Sequence, residues 1–338
     1  MKASVIVLNW NGKHLLGECL DTLLAQSYKD FEIILVDNGS TDDSVTFIQN
    51  NYADKVTLIV LKENQGFAGG NNVGIARAKG EYIILLNNDT SVDPHWMEEL
   101  IRVATQDENI GSCASKIVNY YAHDEFDTLG HLMYADGLNR GRGKFEKDTG
   151  QYNLLEEVFF ASGCAALFKK KMLDEIGLFD EDFFAYGDDT DIGLRSRLAG
   201  WKCMYVPTAL VYHKSSASSA PYSPWKIYLV ERNRILILFK YFPWRYVLLS
   251  PFYTAVRFSY NFLSIFMKRG ATHRFIQKSP FWALVFAVIK AYSVSIIMIP
   301  GVLLKRYKLR NIKKISTGDF IKLLKKYKLS AQELTLKD

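Results

Sequence analysis

Cysteine is scarce in this sequence and it is not clustered. The four cysteines, Cys19, Cys113, Cys164 and Cys203, are spread through 338 residues and lack the paired spacing of a zinc site. They also do not form the dense framework of a small disulfide-rich secreted domain, so we expect buried thiols in a reducing compartment. The apolar run in residues 1–12 is too short for a signal peptide and no cleavage site follows it. The first part of the chain is therefore expected to stay in the cytoplasm.

Acidic residues are scarce in the last third of the chain. From Trp225 onward roughly 22 lysines and arginines accompany about 4 acidic residues, so this part carries about +18 and the preceding part about −12. An acidic front part suits a site that uses a metal and carboxylates. A basic tail with long apolar and aromatic runs suits an anionic membrane surface, whereas a nucleic-acid-binding arm would be mostly polar. We expect two regions, residues 1–224 and 225–338, and no nucleic-acid partner.

Strand and helix patterns alternate in the first 104 residues. Continuous apolar, β-rich runs lie at residues 4–10, 31–37, 56–61 and 81–89. Helix patterns follow these runs; one helix is predicted to begin at Asp42, capped by Ser40 or Thr41, and another at Pro94, capped by Asp93. This order predicts βαβ units, and therefore an α/β fold with a mostly parallel sheet and helices on both faces.

Polar residues stand where the predicted strands end. They are Asn9, Asp37, Asn64 and Asp89. Ligands of such sheets bind beyond the carboxyl ends of the strands, so we group these side chains in one site. Asp37 fits a hydrogen bond to a nucleobase or ribose, and it equally fits a turn or a helix cap. Asp89 can hold Mg²⁺ or Mn²⁺ while a diphosphate supplies further oxygens, although a plain turn also explains it.

A glycine-rich segment, residues 64–72, is predicted to form a turn that leads from the third strand into a helix. Glycine permits a close approach of the backbone, and amides at a helix N-terminus favour a phosphate. A Rossmann dinucleotide site would place these glycines after the first strand, where residues 9–12 stand instead. The lysine of a P-loop is absent as well. The segment is therefore a candidate phosphate-binding element of a different fold.

Three acids open a predicted helix that ends at Gly200. Asp188, Asp189 and Asp191 gain from the helix dipole, which alone would explain a structural cap. Crowding and partial burial also raise the pKa of one such acid, which favours a general base. His213 precedes the serine-rich residues 214–219, where it fits a metal ligand, a phosphate ligand or an ordinary loop histidine.

The rest of the chain gives weaker patterns. Residues 119–157 lack a clear period and predict a functional loop or an extra hairpin. Residues 157–170 predict a strand, a glycine turn and a second strand, and KCMYVP and ALVYH predict two short strands.

The basic tail contains two long apolar segments, residues 247–267 and 281–304. The second is long enough to span a bilayer with some tilt, but Lys290 near its middle would be costly there. Spanning the membrane and lying in its surface both stay open. The basic residues 305–314 would lie at anionic headgroups. The alternative is a soluble helical domain whose apolar faces pack on one another.

An ordered series of motifs carries a family resemblance. The motifs are VIVLNWNG, LVDNGSTDDS, ENQGFAGGNNVGIARAKGEYIILLNNDT, SGCAALFKK, GLFDEDFFAYGDDTDIGLRSRLAGW and VYHKSSAS. Together they resemble the family 2 glycosyltransferases, most closely the bacterial rhamnosyltransferase-type branch, over residues 3–240. The resemblance implies the GT-A fold and a single displacement that inverts the anomeric centre.

The resemblance also implies roles for single residues. Asp189 matches the catalytic base, and Asp188 stands where the usual pair has glutamate. Asp89 matches the last acid of the DxD-type metal motif, with asparagine at both preceding places, and His213 matches a histidine near the metal and diphosphate. Asp191 and Arg195, with Asp188, are assigned to the acceptor side or to support of the base. The donor-site residues are Asn9, Asp37, Asn38, Asn64, Gly66, Phe67, Asn71, Asn72 and Asn88.

The implied reaction is non-processive, because no Gln-x-x-Arg-Trp motif follows Asp189. The expected donor is dTDP-L-rhamnose, with a UDP-hexose as the alternative, and the expected cofactor is Mg²⁺ or Mn²⁺. The expected acceptor is a lipid-linked glycan or polysaccharide of cell-surface glycan synthesis. We expect the enzyme at the cytoplasmic face of the cell membrane, peripheral or monotopic, and leave its oligomeric state open.

Two other functions compete with sugar transfer. A nucleotidyltransferase on a similar sheet would need a glycine-rich signature with a lysine or arginine in the first loop, which residues 9–12 lack. A non-catalytic membrane scaffold with a degenerate site is the second, and the intact Asp37, Asp89 and Asp189 argue against it.

Overall fold

The computed structural model describes residues 2–215 and 222–337. The chain divides into two compact units. The first comprises Met1–Gly130 and Gly141–Ser219, and the second comprises His131–Arg140 and Ala220–Asp338. The sequence-based division after residue 224 differs from this one chiefly at residues 131–140, which the structure assigns to the second unit.

The strands of the described residues are β1 (Ala3–Asn9), β2 (Phe31–Asp37), β3 (Thr57–Val60), β4 (Tyr82–Asn87), β5 (Thr90–Val92), β6 (Ile110–Asn119), β7 (Ala122–Thr128), β8 (His131–Met133), β9 (Asn139–Gly141), β10 (Glu156–Val158), β11 (Ala165–Lys169) and β12 (Lys202–His213). The helices are α1 (Lys13–Leu24), α2 (Ser44–Tyr52), α3 (Gly66–Arg77), α4 (Trp96–Ala104), α5 (Lys170–Ile176), α6 (Asp188–Leu198), α7 (Pro224–Tyr241), α8 (Trp244–Phe266), α9 (Gly270–Lys278), α10 (Phe281–Lys308), α11 (Thr317–Lys326) and α12 (Ala331–Leu336). Short 3-10 turns lie at Glu181–Phe183 and Leu309–Asn311.

The first unit is built on one large mixed sheet with the strand order β10-β12-β6-β11-β4-β1-β2-β3. Strands β4, β1, β2 and β3 run parallel, while β11 runs antiparallel to its neighbours β4 and β6. Val5 and Val7 pack in the core with residues of α1 and α4. On the opposite face, Gly74 of α3 lies against Ile6. The predicted α/β fold, with a mostly parallel sheet and helices on both faces, is confirmed.

Two predicted helix starts are wrong by two residues. Helix α2 begins at Ser44, because the Asp42 carboxylate accepts hydrogen bonds from the Ser44 amide and hydroxyl and forms a turn before the helix. Helix α4 begins at Trp96, and the Asp93 carboxylate accepts from the His95 amide in the same way. Aspartate often bonds to the backbone two residues on, and this local turn competes with capping.

The two short strands predicted near the end of the first unit form one strand, β12. It runs parallel to β6, and its register shifts between Val206 and Leu210, at the proline that interrupts the pattern. Its last residue, His213, pairs with Thr90 of β5. Residues 119–157 contain the strands β7 to β10, which agrees with the extra hairpin that was one of the two expectations.

The second unit contains the helices α7 to α12, so the predicted C-terminal helical region is confirmed. Among the described residues, one helical stretch is long and apolar enough to cross a membrane, Phe281–Asn311, with a mean hydropathy of 2.0. Only 22% of its most apolar window is buried.

Candidate active site

Three strand ends meet at one edge of the sheet in the first unit. Asn9 ends β1, and its side-chain amide donates to the Asp37 carboxylate at the end of β2 over 3.0 Å. The Asn9 side-chain oxygen accepts from the Asn88 amide, just beyond β4, over 2.7 Å. All three side chains are buried. Of the four side chains grouped from the strand ends, Asn9 and Asp37 meet directly, and Asn88, the neighbour of Asp89, joins them.

Asp37 has a structural role in this chain of contacts. It is fully buried, and its second carboxylate oxygen accepts from the Ser40 amide over 3.0 Å, which closes the turn after β2. A carboxylate has further lone pairs available, so a contact with a nucleobase or ribose stays a prediction. The turn role, which the sequence left open, is the one that the structure shows.

The predicted donor-site residues that follow Asp37 hold the start of α3. The Asn38 side-chain amide donates to the Asn64 oxygen over 3.0 Å, and that oxygen accepts from the Gly66 amide over 2.8 Å. Gly66 has a φ of +74°, and a Cβ there would lie 2.4 Å from the Phe184 carbonyl oxygen. Only glycine fits this conformation and this space.

The glycine-rich segment is not the turn that we predicted. Helix α3 begins at Gly66 and contains the other glycines of the segment. A Cβ on Gly70 would lie 2.4 Å from the Leu8 side chain. Glycine at this position therefore serves close packing of the helix on the sheet, which is a reason for the pattern besides phosphate binding.

The remaining donor-site residues tie α3 to the segment before α6. The Phe67 amide donates to the Phe184 carbonyl over 2.6 Å. The buried Asn71 donates to the Phe67 carbonyl, and Asn72 exchanges two hydrogen bonds with the Phe179 backbone, of 2.9 Å and 3.0 Å. In this structure these side chains fix the position of the acidic helix.

The aromatic segment before α6 is strained. Phe184 and Tyr186 have φ values of +61° and +63°, which bulky residues rarely adopt. The amides at the start of α3 stabilise this conformation through the Phe184 carbonyl. Such strain persists only where the surroundings enforce it, and it concentrates at functional sites. The first acids of α6 follow directly.

The acid pair at the start of α6 is asymmetric. Asp188 is buried, and this burial together with the neighbouring Asp189 raises the pKa of Asp188 well above its usual range. Asp189 is only partly buried and accepts from the Thr190 amide over 2.7 Å and from the Gly163 amide over 3.5 Å. The crowding that we expected to favour a general base therefore acts on Asp188, because that carboxyl is the one shielded from water.

Asp191 and Arg195 form a buried ion pair of 2.8 Å within α6. The Arg195 guanidinium also donates to the carbonyls of Ile176 and Leu178, over 2.7 Å and 2.6 Å. The pair thus anchors the chain before the 3-10 turn to the acidic helix, and its role toward the acceptor or the base stays a prediction.

The two predicted metal ligands meet, although they are far apart in the sequence. The His213 Nε2 lies 3.2 Å from the Asp89 Oδ1, and both side chains are largely buried. A carboxylate beside an imidazole fits Mn²⁺ or a similar divalent cation. The described residues include no group of three or more His, Cys, Asp or Glu that could hold a metal. A cation here would complete its coordination with further oxygens, from water or from a diphosphate. Residues 216–221, most of the serine-rich stretch, lie outside the described part.

The sequence interpretation missed Asp127. Its carboxylate lies 2.6 Å from the His213 Nδ1 and also forms an ion pair with Lys144. Burial opposes its ionisation, but Lys144 and His213 hold the pKa of Asp127 well below its usual range. Burial likewise opposes the charge on His213, but Cys164, Asp127 and Asp89 raise the pKa of that imidazole well above its usual range. Asp127 lies in the stretch without clear period, so nothing in one sequence singled it out.

Comparisons with known proteins support the family that the sequence motifs resemble. Residues 4–177, just over half of the chain, match the model of glycosyl transferase family 2. An uncharacterized glycosyltransferase of Rickettsia prowazekii is 31% identical over 189 residues, which are 56% of this chain and 56% of that relative. The O-antigen biosynthesis protein RfbC of Myxococcus xanthus is 26% identical over 262 residues, 75% of this chain and 20% of that protein.

A solved structure resembles the fold over most of the chain. The mannosyltransferase PcManGT from Pyrobaculum calidifontis, in complex with GDP-Man and Mn²⁺, matches with a TM-score of 0.50 and 15% identity over 96% of this chain and 87% of that one. At this identity the likeness concerns the fold alone, and it supports the GT-A fold implied by the sequence motifs.

Proposed function

Since the chain belongs to glycosyltransferase family 2, we propose that it transfers a sugar from a nucleotide-sugar donor to an acceptor hydroxyl, with inversion at C1. One observation carries the proposal. The Gly163 amide contacts Asp189, and the adjacent Cys164 carbonyl accepts from the Asn87 amide over 2.8 Å, two residues before Asp89. One short turn thus connects the candidate base to the candidate metal pair.

The proposed roles follow from burial and charge. Asp189 removes the proton of the acceptor hydroxyl, which attacks C1 of the donor sugar. Burial and the neighbouring Asp189 raise the pKa of Asp188, which favours its neutral form and so opposes a second negative charge beside the base. A divalent cation held by Asp89 and His213 would neutralise the charge of the departing nucleotide diphosphate. The donor-site residues from Asn9 to Asn88 hold the loops that face the nucleotide.

The proposed donor is dTDP-L-rhamnose, with a UDP-hexose as the alternative. The support is the motif series, which resembles the rhamnosyltransferase branch most closely. The proposed acceptor is a lipid-linked glycan of cell-surface synthesis, in line with the relative named for O-antigen biosynthesis. Transfer of one or a few sugars is proposed because the processive motif is absent after Asp189.

The membrane part of the proposal rests on the helix α8. Its outward side chains are large and apolar, and Leu248, Phe252 and Phe262 are 78%, 66% and 63% exposed. Its inward face carries polar side chains, since Thr254 and Arg257 are buried. A helix in water shows the opposite arrangement. The outer face of α8 therefore suits a lipid environment.

Helix α10, like α8, has its bulky apolar side chains on the exposed face. Its buried face presents Ala287, Ala291 and Ser295 at intervals of four, and it packs against α7. Small residues at this spacing permit the close approach that is common between helices in membranes. The outer face exposes bulky side chains, among them Trp282, which is 77% exposed.

Lys290 supports one of the two membrane arrangements that stay open from the sequence. It is exposed near the middle of α10 and lies 5.0 Å from the centre of the Tyr228 ring. In a spanning helix this charge would lie at the bilayer centre. We therefore propose a monotopic enzyme at the cytoplasmic face of the cell membrane, where a lipid-linked acceptor is available.

A donor screen tests the activity. Purified protein with Mn²⁺ is incubated with dTDP-L-rhamnose, UDP-hexoses and GDP-mannose together with a lipid-linked acceptor, and the released nucleotide diphosphate is measured. We expect Asp189→Asn to lower turnover by about 10²- to 10⁴-fold, because a general base contributes about that much. Asp182→Asn, at an exposed acid of the preceding 3-10 turn, is the control. Turnover of Asp189→Asn near that of the wild type would contradict the assignment.

A further inference from the structure

The most informative unassigned contact in the first unit is the one behind His213. This imidazole lies between two carboxylates, with Nδ1 2.6 Å from Asp127 and Nε2 3.2 Å from Asp89. Asp127 is nearly buried, with a 10% exposed side chain. The two nitrogens therefore face different partners, and only Nε2 faces the candidate metal ligand.

The strand geometry shows how Asp127 reaches His213. Strand β7 pairs with β6, which in turn pairs with β12, where Asn119 lies opposite His213. In the β6–β7 ladder Ile117 lies opposite Thr128 while the next residue, Val118, lies opposite Phe126. Asp127 is therefore the extra residue of a β-bulge. Bulges turn a side chain out of the regular alternation, and they are common beside active sites.

The contact between Asp127 and the His213 Nδ1 has a role that follows from imidazole chemistry. A histidine that binds a cation through Nε2 must carry its proton on Nδ1, and an acceptor at Nδ1 fixes both the tautomer and the ring orientation. Asp127 is that acceptor. The ammonium group of Lys144 contacts the same carboxylate and holds it in place.

We propose that Asp127 is a positioning residue, which holds His213 with Nε2 directed at Asp89 for the divalent cation of the donor diphosphate. The inference rests on the proposed function for the use of that cation. The contacts run from Lys144 through Asp127 to His213. The irregular stretch between β6 and β10 thereby gains a role in positioning a metal ligand.

The test measures binding of Mn²⁺ alone to the full chain, from the loss of the free-ion signal in electron paramagnetic resonance. We expect Asp127→Asn to weaken the Mn²⁺ affinity by about 10- to 100-fold, the usual effect of removing such an outer partner. Asparagine can donate to Nδ1 and so favour the wrong tautomer. Asp127→Glu keeps a carboxylate, and we expect it to recover part of the affinity.

The matched control is Asp148→Asn. Asp148 lies in the same irregular stretch and is also paired with a lysine, Lys116, but it has no contact with His213 among those that the structure gives. A structural role for Asp127 would lower the melting temperature and leave the Mn²⁺ affinity of the folded protein unchanged. An affinity of Asp127→Asn within twofold of the wild type would therefore overturn the proposal.

Two further measurements keep the outcome decisive. If Asp127→Asn does not fold, Lys144→Gln is used, and we expect a smaller loss of Mn²⁺ affinity because the anchor of Asp127 is removed. No donor or acceptor is present in these titrations, so a wrong donor assignment does not affect them. Full sugar transfer by the wild type in the presence of EDTA would overturn the cation role of His213 and this inference, while leaving the transferase activity intact.

Discussion

The two units of this chain differ in where they bury their polar side chains. In the first, Val5, Val7 and Trp96 are in the core, and polar groups gather at the strand ends. In the second, α8 buries Arg257 between the carboxylates of Asp136 and Glu231 while its outer face is apolar. Both arrangements follow from the same cost of an unpaired polar group in a dry environment. What differs is the outer face, which on α8 is apolar, and the lipid environment that we propose for it is a proposal from this exposure.

The comparison also separates two uses of charge. In the first unit, the buried pair of Asp191 and Arg195 supports one helix of the site. In the second, Asp136, Glu231, Arg234 and Arg257 form a connected cluster around which three segments of that unit pack. A cluster of this kind, inside an apolar exterior, specifies how helices pair when hydrophobic contact is not selective.

The largest effect on stability is expected from breaking that cluster. Arg257→Met leaves the buried Asp136 without its closest cation, so we expect a loss of about 3–5 kcal/mol in the free energy of unfolding. Denaturant unfolding in mild detergent measures it. Arg102→Met, which removes an exposed pair with Glu99 in the first unit, is the control and should cost less than about 1 kcal/mol. Equal losses would show that the second unit does not depend on buried charge.

A smaller loss in the free energy of unfolding is expected from a substitution at Gly66 in the first unit. Gly66→Ala places a Cβ 2.4 Å from the Phe184 carbonyl at a φ of +74°. Gly150→Ala is the control, because its φ of +86° is as unfavourable but the nearest side-chain atom is 3.4 Å away. We expect about 1–2 kcal/mol of destabilisation from the left-handed conformation in both variants, and about 1–3 kcal/mol more at Gly66 from the clash.

Thermal unfolding gives both losses in stability. Equal values for the two variants would show that the Phe184 loop moves away at no cost, and that the start of α3 does not depend on it.

The sequence predicted elements well where the pattern is local. Strand β2 begins and ends where the apolar run FEIILVD does, because the sheet buries the whole run. The start of α2 was missed because Asp42 bonds to Ser44 instead of capping a helix. Polar residues at strand ends predicted the meeting of Asn9 and Asp37, since parallel strands bring those ends together.

Contacts that depend on a β-bulge or on long-range packing could not be predicted from the sequence. Asp127 reaches His213 only because β7 has a bulge, and no local pattern marks a bulge without glycine. The composition of α8 also does not predict that it exposes large apolar side chains and buries polar ones, since an apolar helix with one arginine fits a soluble core as well as a membrane. The pairing of Arg257 with residues 26 and 121 positions away shows which face of α8 is buried, and neither contact is visible in a local pattern.

The proposed contact between the second unit and a membrane is tested by Phe262→Asp on the outer face of α8. Phe262 is 63% exposed, so the fold should tolerate the change, while a bilayer should not. Burial of one such side chain contributes about 1.5–3 kcal/mol, so we expect at least about a tenfold loss of affinity for vesicles. Flotation with vesicles rich in phosphatidylglycerol measures it.

The control for the membrane test is Tyr121→Asp, at a side chain of the first unit that is 77% exposed. We expect no change in vesicle binding for this variant. If Phe262→Asp also binds vesicles like the wild type, the outer face of α8 does not contact lipid, and the soluble helical domain becomes the better interpretation.

The smallest effect concerns pH and the acid pair of the first unit. Burial and the neighbouring Asp189 raise the pKa of Asp188, so the folded protein favours its neutral form. The resulting stability is present below the ordinary pKa of aspartate, about 3.9, and is lost as the pH rises through the raised pKa of the folded state. Asp188→Asn keeps the neutral shape and cannot ionise. We therefore expect its melting temperature, relative to the wild type, to be higher at neutral pH than in acid. A constant difference across pH would mean that folding does not raise the pKa of Asp188, and that Asp189 does not act beside a neutral partner.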